Sequence, residues 1–518
     1  LDFFNINFEI LGRADLPNVL YDKIFGSNLN SDKIFLKTDI RNLSYKQFTE
    51  LTNKIANSLI LNGLKPGDRV AIQAEKSATQ LAVYAATIKA GGVYLPLNTA
   101  YTTNELKYFI SDAQPKIVIL DEKSFKLAKE NLSDIDAHFF SLNQDGTGSF
   151  TDQFALCETN FSTVSRGEED IAVIMYTSGT TGKSKGAKLC HRNLKTNAEI
   201  LKESWEFTES DILLHMLPTY HTHGLLVACN LLAMVGGSII FLPKFNSQDA
   251  IKWMSKATAM MGVPTFYTRL LDHPEFDKDV SKNIRLFISG SAPLSAETHK
   301  MFKKRTGHSI LERYGMTETN MSTSNPYRGK RIAGTIGKAL PGIEIRIRDK
   351  ITGEVLPNGK IGILEQKGDN VFLGYWGMPE KTSEAFTQDN FFITGDLAQR
   401  DENGYITLVG RDSDMIISGG LNVYPKEVEN LIDDIDEVLE SAVIGVPHSD
   451  FGEGVVAVVV LKEKMKDPVK KIQNTLKSNL AKFKQPKLIK LVENLPRNSM
   501  GKVQKATLRV QYDKLFKN

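Results

Sequence analysis

The run Tyr176-Thr177-Ser178-Gly179-Thr180-Thr181-Gly182-Lys183-Ser184-Lys185-Gly186 follows directly on the apolar residues 171–175. A strand that empties into a loop of hydroxyls, glycines and lysines is built to wrap a polyphosphate. Glycines let backbone N–H groups converge, hydroxyls donate, and lysine neutralises charge. The spacing is not that of the common phosphate loop. G-x-x-x-x-G-K-[ST] ending at Gly182-Lys183-Ser184 demands glycine at position 177, where Thr177 stands. The segment therefore predicts an ATP-type ligand held by another architecture.

Strand-like runs alternate with helical patterns along the chain, which favours α/β layers. Residues 70–74 read as a strand after the turn Pro66-Gly67-Asp68, 78–90 as a helix stopped by Gly91-Gly92, and 93–97 as the next strand. The unit recurs: 223–235 reads as a helix, Gly236-Gly237 stops it, and 238–242 is a strand. Two related α/β layers are the expectation. Residues 141–165 show little periodicity and read as a surface excursion.

At 518 residues the chain is too long for one core. A boundary is expected at Gly410-Arg411, giving a core domain of residues 1–410 and a small domain of residues 411–518. Before it, residues 401–409 read as a hairpin. After it come an amphipathic helix at 425–435, a strand at 455–461 and a lysine-rich helix at 468–483. Asp467 is expected to cap that last helix, with Pro468 at its first position.

The net charge of +3, from 64 basic and 61 acidic residues, makes no case for nucleic acid or a membrane surface as partner. Cys157, Cys190 and Cys229 are widely spaced, which argues against a disulfide framework or a structural zinc site and suits a reducing compartment. No apolar run reaches the length of a membrane span. No signal peptide pattern is visible, and the first residue is Leu rather than Met. The cytoplasm is expected, or a mitochondrial or plastid matrix after loss of a leader.

Acidic and basic elements follow the loop in order. In Arg313-Tyr314-Gly315-Met316-Thr317-Glu318, Glu318 can hold Mg²⁺ and Thr317 can donate to a phosphate. Asp396, in Ile393-Thr394-Gly395-Asp396, can accept from ribose hydroxyls, and Arg411 can serve the same sugar or a phosphate. Lys502, after Gly501, suits the role of a mobile point charge for an α-phosphate attacked by a carboxylate.

Over nearly its whole length the chain resembles the adenylate-forming superfamily of acyl- and aryl-CoA synthetases, luciferases and adenylation domains. The resemblance rests on five ordered motifs: the 176–186 loop, Tyr314–Glu318 as Y-G-x-T-E, Thr394-Gly395-Asp396, Gly410-Arg411 as a hinge, and Gly501-Lys502 as a catalytic lysine. At the hinge, Ser413, flanked by Asp412 and Asp414, stands where the family usually has Asp or Lys. The fold implied is α/β, with a large N-terminal domain of α/β layers and a β-rich portion, and a small mobile C-terminal α+β lid. The activity implied is an acid–thiol ligase. A carboxylate attacks ATP to give acyl-adenylate and pyrophosphate, and CoA then displaces AMP.

The resemblance implies ATP contacts from Thr177, Ser178, Gly179, Thr180, Thr181, Gly182, Lys183, Lys185, Gly290, Ser291, Ala292, Arg313, Tyr314, Gly315, Met316, Thr317, Asp396 and Arg411. It implies Mg²⁺ on Glu318 and Thr177, and catalytic roles for Thr177, His221, Glu318 and Lys502. Ser418, Gly419 and Gly420 would line the coenzyme A path after the lid rotates. For the acid, the segments 265–269, 289–292 and 313–320 resemble malonyl-CoA synthetases. His221, His223, Arg269, Ser291, Met316 and Arg331 are then the substrate set, with Arg269 and Ser291 on the distal carboxylate of malonate or methylmalonate. The small-molecule acid would be the partner of a monomer or homodimer. Three other readings stand beside this one: a CoA ligase for another small or medium-chain fatty or aryl acid, a stand-alone enzyme loading a carrier-protein thiol, and a nucleotide sensor without turnover. Glu318, Asp396 and Lys502 together argue against the sensor.

Overall fold

The computed structural model describes residues 17–132, 135–177, 184–448, 450–463, 466–498 and 501–516. Among them, four sheets organise the chain. The first runs, in spatial order, His138–Ser141, Ile117–Leu120, Arg69–Gln73, Val93–Pro96, Ile171–Thr177 and Lys185–Cys190, parallel until the last pair. The second is larger. Its parallel centre is Leu311–Met316, Leu286–Ser289, Ala259–Gly262, Ile212–His215, Ser238–Phe241 and Ile34–Lys37, with antiparallel strands at both margins.

Helices pack between these two sheets. Every residue of Ala78–Lys89 is buried, so this helix contacts core all round rather than presenting one apolar stripe. Ser77 caps it through Gln80 N. Tyr84, Tyr94, Trp205 and Phe35 are fully buried in the shared core, each stabilising by about 1.5–3 kcal/mol or more.

The repeated joint has one hydrogen-bond pattern in both places. Gly91 N donates to Ile88 O and Gly92 N to Thr87 O; Gly236 N donates to Ala233 O and Gly237 N to Leu232 O. The first residue of each following strand then donates to an aspartate carbonyl, Val93 to Asp68 O and Ser238 to Asp211 O. Gly91 and Gly236 have φ of 76° and 73°, which a helix stop of this kind requires.

A four-stranded antiparallel sheet, Glu344–Arg348, Gly362–Lys367, Phe392–Arg400 and Ile406–Arg411, is the β-rich portion. The expected hairpin at 401–409 joins its last two strands. After Arg411 the chain enters a separate sheet of Leu421–Val423, Ile416–Ser418, Gly452–Leu461, Val438–His448 and Leu488–Leu491. Two apolar cores cover its faces, one under the helices Pro425–Asp433 and Pro468–Asn479, the other including Leu508 of Lys505–Tyr512. Among the described residues no helix is long and apolar enough to cross a membrane.

Four expectations need correction. Asp467 does occupy the position before Pro468, but at φ 50°, left-handed, and its side chain caps nothing. That helix ends at Asn479, and Lys482–Lys484 forms a separate 3₁₀ turn. The stretch 141–165 contains the helix Ser149–Ala155, which buries Phe150 and Phe154; two aromatics four apart make one turn's contact without a longer period. Residues 223–235 begin as a π-helix, His223–Cys229, and only then become α-helical over Asn230–Val235.

Candidate active site

The carboxyl ends of the parallel strands supply most candidate residues, where open α/β sheets place ligands. Thr177 ends its strand, and its hydroxyl lies 3.5 Å from Lys185 O. Ser178, Gly179, Thr180, Thr181, Gly182 and Lys183 lie outside the described residues. Lys185 Nζ sits 4.3 Å over the Tyr375 ring, and the Tyr375 hydroxyl donates to Glu318 Oε1 at 3.1 Å. Tyr375 thus joins the expected lysine to the expected carboxylate. Sequence reasoning missed it, because an aromatic between Gly374 and Trp376 carries no phosphate signal.

Glu318 lies in the turn between Leu311–Met316 and Asn320–Ser324. A Cβ on Gly315 would fall 1.7 Å from Asn320 O, so this tight hairpin excludes any other residue there. Met316 N donates to the Thr319 hydroxyl at 3.1 Å within it. Burial raises the Glu318 carboxyl above its ordinary pKa, against the pull of Tyr375, Arg411 and Lys185. Among the described residues no cluster of three His, Cys, Asp or Glu forms a metal cage. Mg²⁺ bound with a nucleotide takes one or two protein oxygens and fills the rest with phosphates and water, a donor set that one carboxylate and one hydroxyl fit.

Asp396 is held from both sides. The Tyr314 hydroxyl donates to Oδ2 at 2.5 Å, and Arg411 Nε lies 2.8 Å from Oδ1. Burial opposes the Arg411 charge, but Asp396, Tyr314 and Glu318 hold its pKa above the usual range. Each carboxylate oxygen keeps a second lone pair for a further donor. Lys502 belongs to the same neighbourhood. Burial and then Arg411 push its amine down, while Asp396 and Asp414 oppose them. Its loop is closed by Asn498, whose side chain accepts from Lys502 N at 3.0 Å. Gly501 lies against Thr265, with φ of 74°.

Beside these candidate nucleotide residues lies a cluster of buried polar side chains. Gly290 leaves room for the Arg313 guanidinium, which a Cβ there would meet at 2.4 Å. Arg313 is 3% exposed, its Nε and Nη2 have no hydrogen-bond partner, and no carboxylate among the described residues pairs with it. Burial pushes its pKa down to about 9, which leaves it charged at neutral pH. Ser291 stands at φ 70°, uncommon for a residue with a side chain. Its Oγ is 3.3 Å from His223 Nδ1. Ala292 follows, partly buried. Burial pushes His221 down to about 4, and burial followed by Arg313 pushes His223 well below its usual value, so both are neutral. Their Nε2 atoms are buried without partners.

Two expected substrate residues lie differently. Arg331 donates to Pro326 O, Ser309 O and Tyr327 O at 3.2, 2.6 and 2.9 Å, which makes it a staple between its own loop and the one at Ser309. Arg269, on the helix Pro264–Leu271, is exposed, and its charge is felt by Arg497 of the lysine loop. The hydrogen bonds of Ser418 and Gly419 are within the C-terminal sheet, Ser418 facing Gly452 and Gly419 N donating to Phe451 O. Gly419 and Gly420, at φ 61° and 78°, make the turn to Leu421.

Residues 27–376 match the model of the AMP-binding enzyme family, and residues 427–502 that of the AMP-binding enzyme C-terminal domain. The malonate–CoA ligase of Arabidopsis thaliana is 34% identical, covering 98% of this chain and 91% of its own. A long-chain-fatty-acid–CoA ligase of Bacillus subtilis is 32% identical, covering 96% and 95%. The crystal structure of ATP-bound MatB from Rhodopseudomonas palustris is 51% identical, covers 97% of this chain and all of its own, and superposes with a TM-score of 0.94; its apo form gives 0.83.

Proposed function

Because this chain belongs to the AMP-binding enzyme family, we propose that its cleft activates a small dicarboxylic acid, malonate or methylmalonate, and transfers it to coenzyme A. The supporting observation is Arg313. A buried, charged guanidinium with two unpartnered nitrogens and no carboxylate paired with it among the described residues costs several kcal/mol unless an anion meets it. A monocarboxylate consumed in adenylation leaves no second charge for it; a dicarboxylate does. Ser291 meets His223 at 3.3 Å, and the Arg313 charge acts on the same imidazole. This reading moves the anchor from Arg269 and Arg331 to Arg313, which the motif order had put with the nucleotide.

In the first step one substrate carboxylate oxygen attacks the α-phosphorus of ATP, forming the acyl–phosphate bond as the bond to pyrophosphate breaks. Thr177, the following loop and Lys185 hold the β,γ-phosphates. Mg²⁺, when bound through Glu318 and Thr177, offsets charge on the leaving group. Asp396 and Arg411 fix the ribose end, and Lys502 offsets charge at the α-phosphate. In the second step a CoA thiolate attacks the acyl carbon and AMP leaves. The greater likeness to ATP-bound than to apo MatB, and the influence of the Asp396 charge on Lys502, support assigning Lys502 to the first step. We assign residues 1–410 to the core and 411–518 to the lid, whose rotation would bring Ser418, Gly419 and Gly420 to the thiol.

Acid-dependent pyrophosphate release with malonate, methylmalonate, acetate, octanoate and coumarate tests the reading. Malonate or methylmalonate should lead; octanoate or coumarate outrunning both by a wide margin overturns it. Products of ADP and phosphate would overturn adenylation itself.

A further inference from the structure

Lys76 is 7% exposed, in the segment after the strand Arg69–Gln73. His215 ends the strand Ile212–His215, the counterpart of Arg69–Gln73 in the second sheet. Lys76 Nζ lies 2.6 Å from His215 Nδ1 and donates to His215 O at 3.0 Å. It also stands 4.3 Å over the Phe241 ring, and no carboxylate among the described residues pairs with it. Burial pushes the amine down to about 7.

A carbonyl oxygen can only accept, so the ring proton of His215 sits on Nε2, facing Gly224 O at 2.8 Å, and Nδ1 accepts from Lys76. Cys229 Sγ reaches the same carbonyl at 3.2 Å. Gly224 belongs to the π-helix His223–Cys229, a form that gathers at functional sites. A Cβ there would fall 2.1 Å from Pro218 O, so only glycine lets the backbone pack this closely on Pro218. On the other side, Thr222 O accepts from both Leu226 N and Val227 N at 2.9 Å. The backbone on either side of His223 is therefore fixed, and its ring is set against Ser291 and Arg313.

We propose that Lys76 and His215 are positioning residues: the Lys76-to-His215-to-Gly224 chain of hydrogen bonds holds the π turn that presents His223 to the acid. Neither is a catalytic residue, since neither borders the reacting atoms. The proposal rests on the acid-pocket reading above, and the assay uses whichever acid the panel shows to be activated fastest, so a failure of malonate does not decide it.

The test is steady-state pyrophosphate release by the full chain. Lys76→Met keeps the buried stem and removes the donor. It should raise the acid KM about tenfold or more while the ATP KM stays within about twofold. His215→Gln retains an N–H for Gly224 O and should keep the acid KM within about threefold of the parent, whereas His215→Leu should match Lys76→Met. Folded Lys76→Met with an unchanged acid KM, or with both KM values raised alike, overturns the proposal. So does His215→Gln failing as fully as His215→Leu. If Lys76→Met does not fold, judged by its melting transition, the two His215 variants decide alone.

Discussion

Arg411 and Asp396 face each other as a register pair across two antiparallel strands, and their side chains meet at 2.8 Å. Arg411 is the last residue of its sheet; the next strand, from Ile416, lies in another. The acid assigned to the ribose is thus bonded to the residue from which the C-terminal unit departs. On that assignment, nucleotide binding and the placement of that unit would share one ion pair.

Removing half of this pair leaves a poorly solvated charge. Asp396→Ala should lower stability by roughly 2–4 kcal/mol, somewhat less than breaking a fully buried pair, because Arg411 keeps 28% side-chain exposure. Denaturant unfolding measures it, and a loss under 1 kcal/mol would mean that the pair is well solvated.

Lys502 acts in only one half-reaction on the mechanism proposed here. Lys502→Ala should slow adenylate formation about 10²–10³-fold, the scale for losing one electrostatic contact to a transition state. Supplied acyl-adenylate should still be converted to thioester at near the parental rate. Rapid-quench measurement of both steps separates them, and equal losses would contradict a lysine confined to the first step.

Arg313 and Arg331 should part company. Arg313→Met is expected to raise the KM for the dicarboxylate at least about tenfold, and Gly290→Ala should do the same by displacing the guanidinium. Arg331→Met, losing three bonds to backbone carbonyls, should instead lower stability by about 2–4 kcal/mol with the acid KM unchanged. A raised acid KM in the Arg331 variant would restore it to the substrate set.

Glu312 supplies a pH signature. Burial raises its carboxyl to about 8 from 4.5; Leu294 N donates to one oxygen, and the other has no partner. The folded state therefore holds this proton more tightly than the unfolded chain. The stability it contributes is complete below about pH 4.5 and is lost as pH rises toward 8. Glu312→Gln, which never ionises, should match the parent near pH 4.5 and exceed it by roughly 1–4 kcal/mol at pH 8. Melting curves across that window should diverge; parallel curves would show the carboxyl ionising freely.

Much of this was readable from residue order. The glycine-stopped joints, the hairpin before the boundary and the α/β layering all leave local marks, because turns and periods are local physics. What escaped is what depends on burial or on distant partners. Arg313 belongs to a nucleotide motif by spacing, and only the fold shows it against Gly290 with no acid paired to it among the described residues. Arg331 looked available until three carbonyls of neighbouring loops claimed it. Asp467 has the chemistry of a cap, but its backbone is left-handed and its side chain makes no capping bond. Lys76 and His215 lie 139 positions apart, and no sequence period links them.

The repeated glycine joint also bears on how the chain reaches this shape. Each joint ties its strand to an aspartate only 25 or 27 residues back, Val93 to Asp68 and Ser238 to Asp211. Such short closures form early, whereas the Lys76–His215 bond must wait for two preformed layers to meet. Assembly should therefore run in two stages, with amide protection appearing first at both joints and only later at the π-helix. Pulsed hydrogen exchange during refolding reads that order directly, and simultaneous protection would mean that the layers form only together.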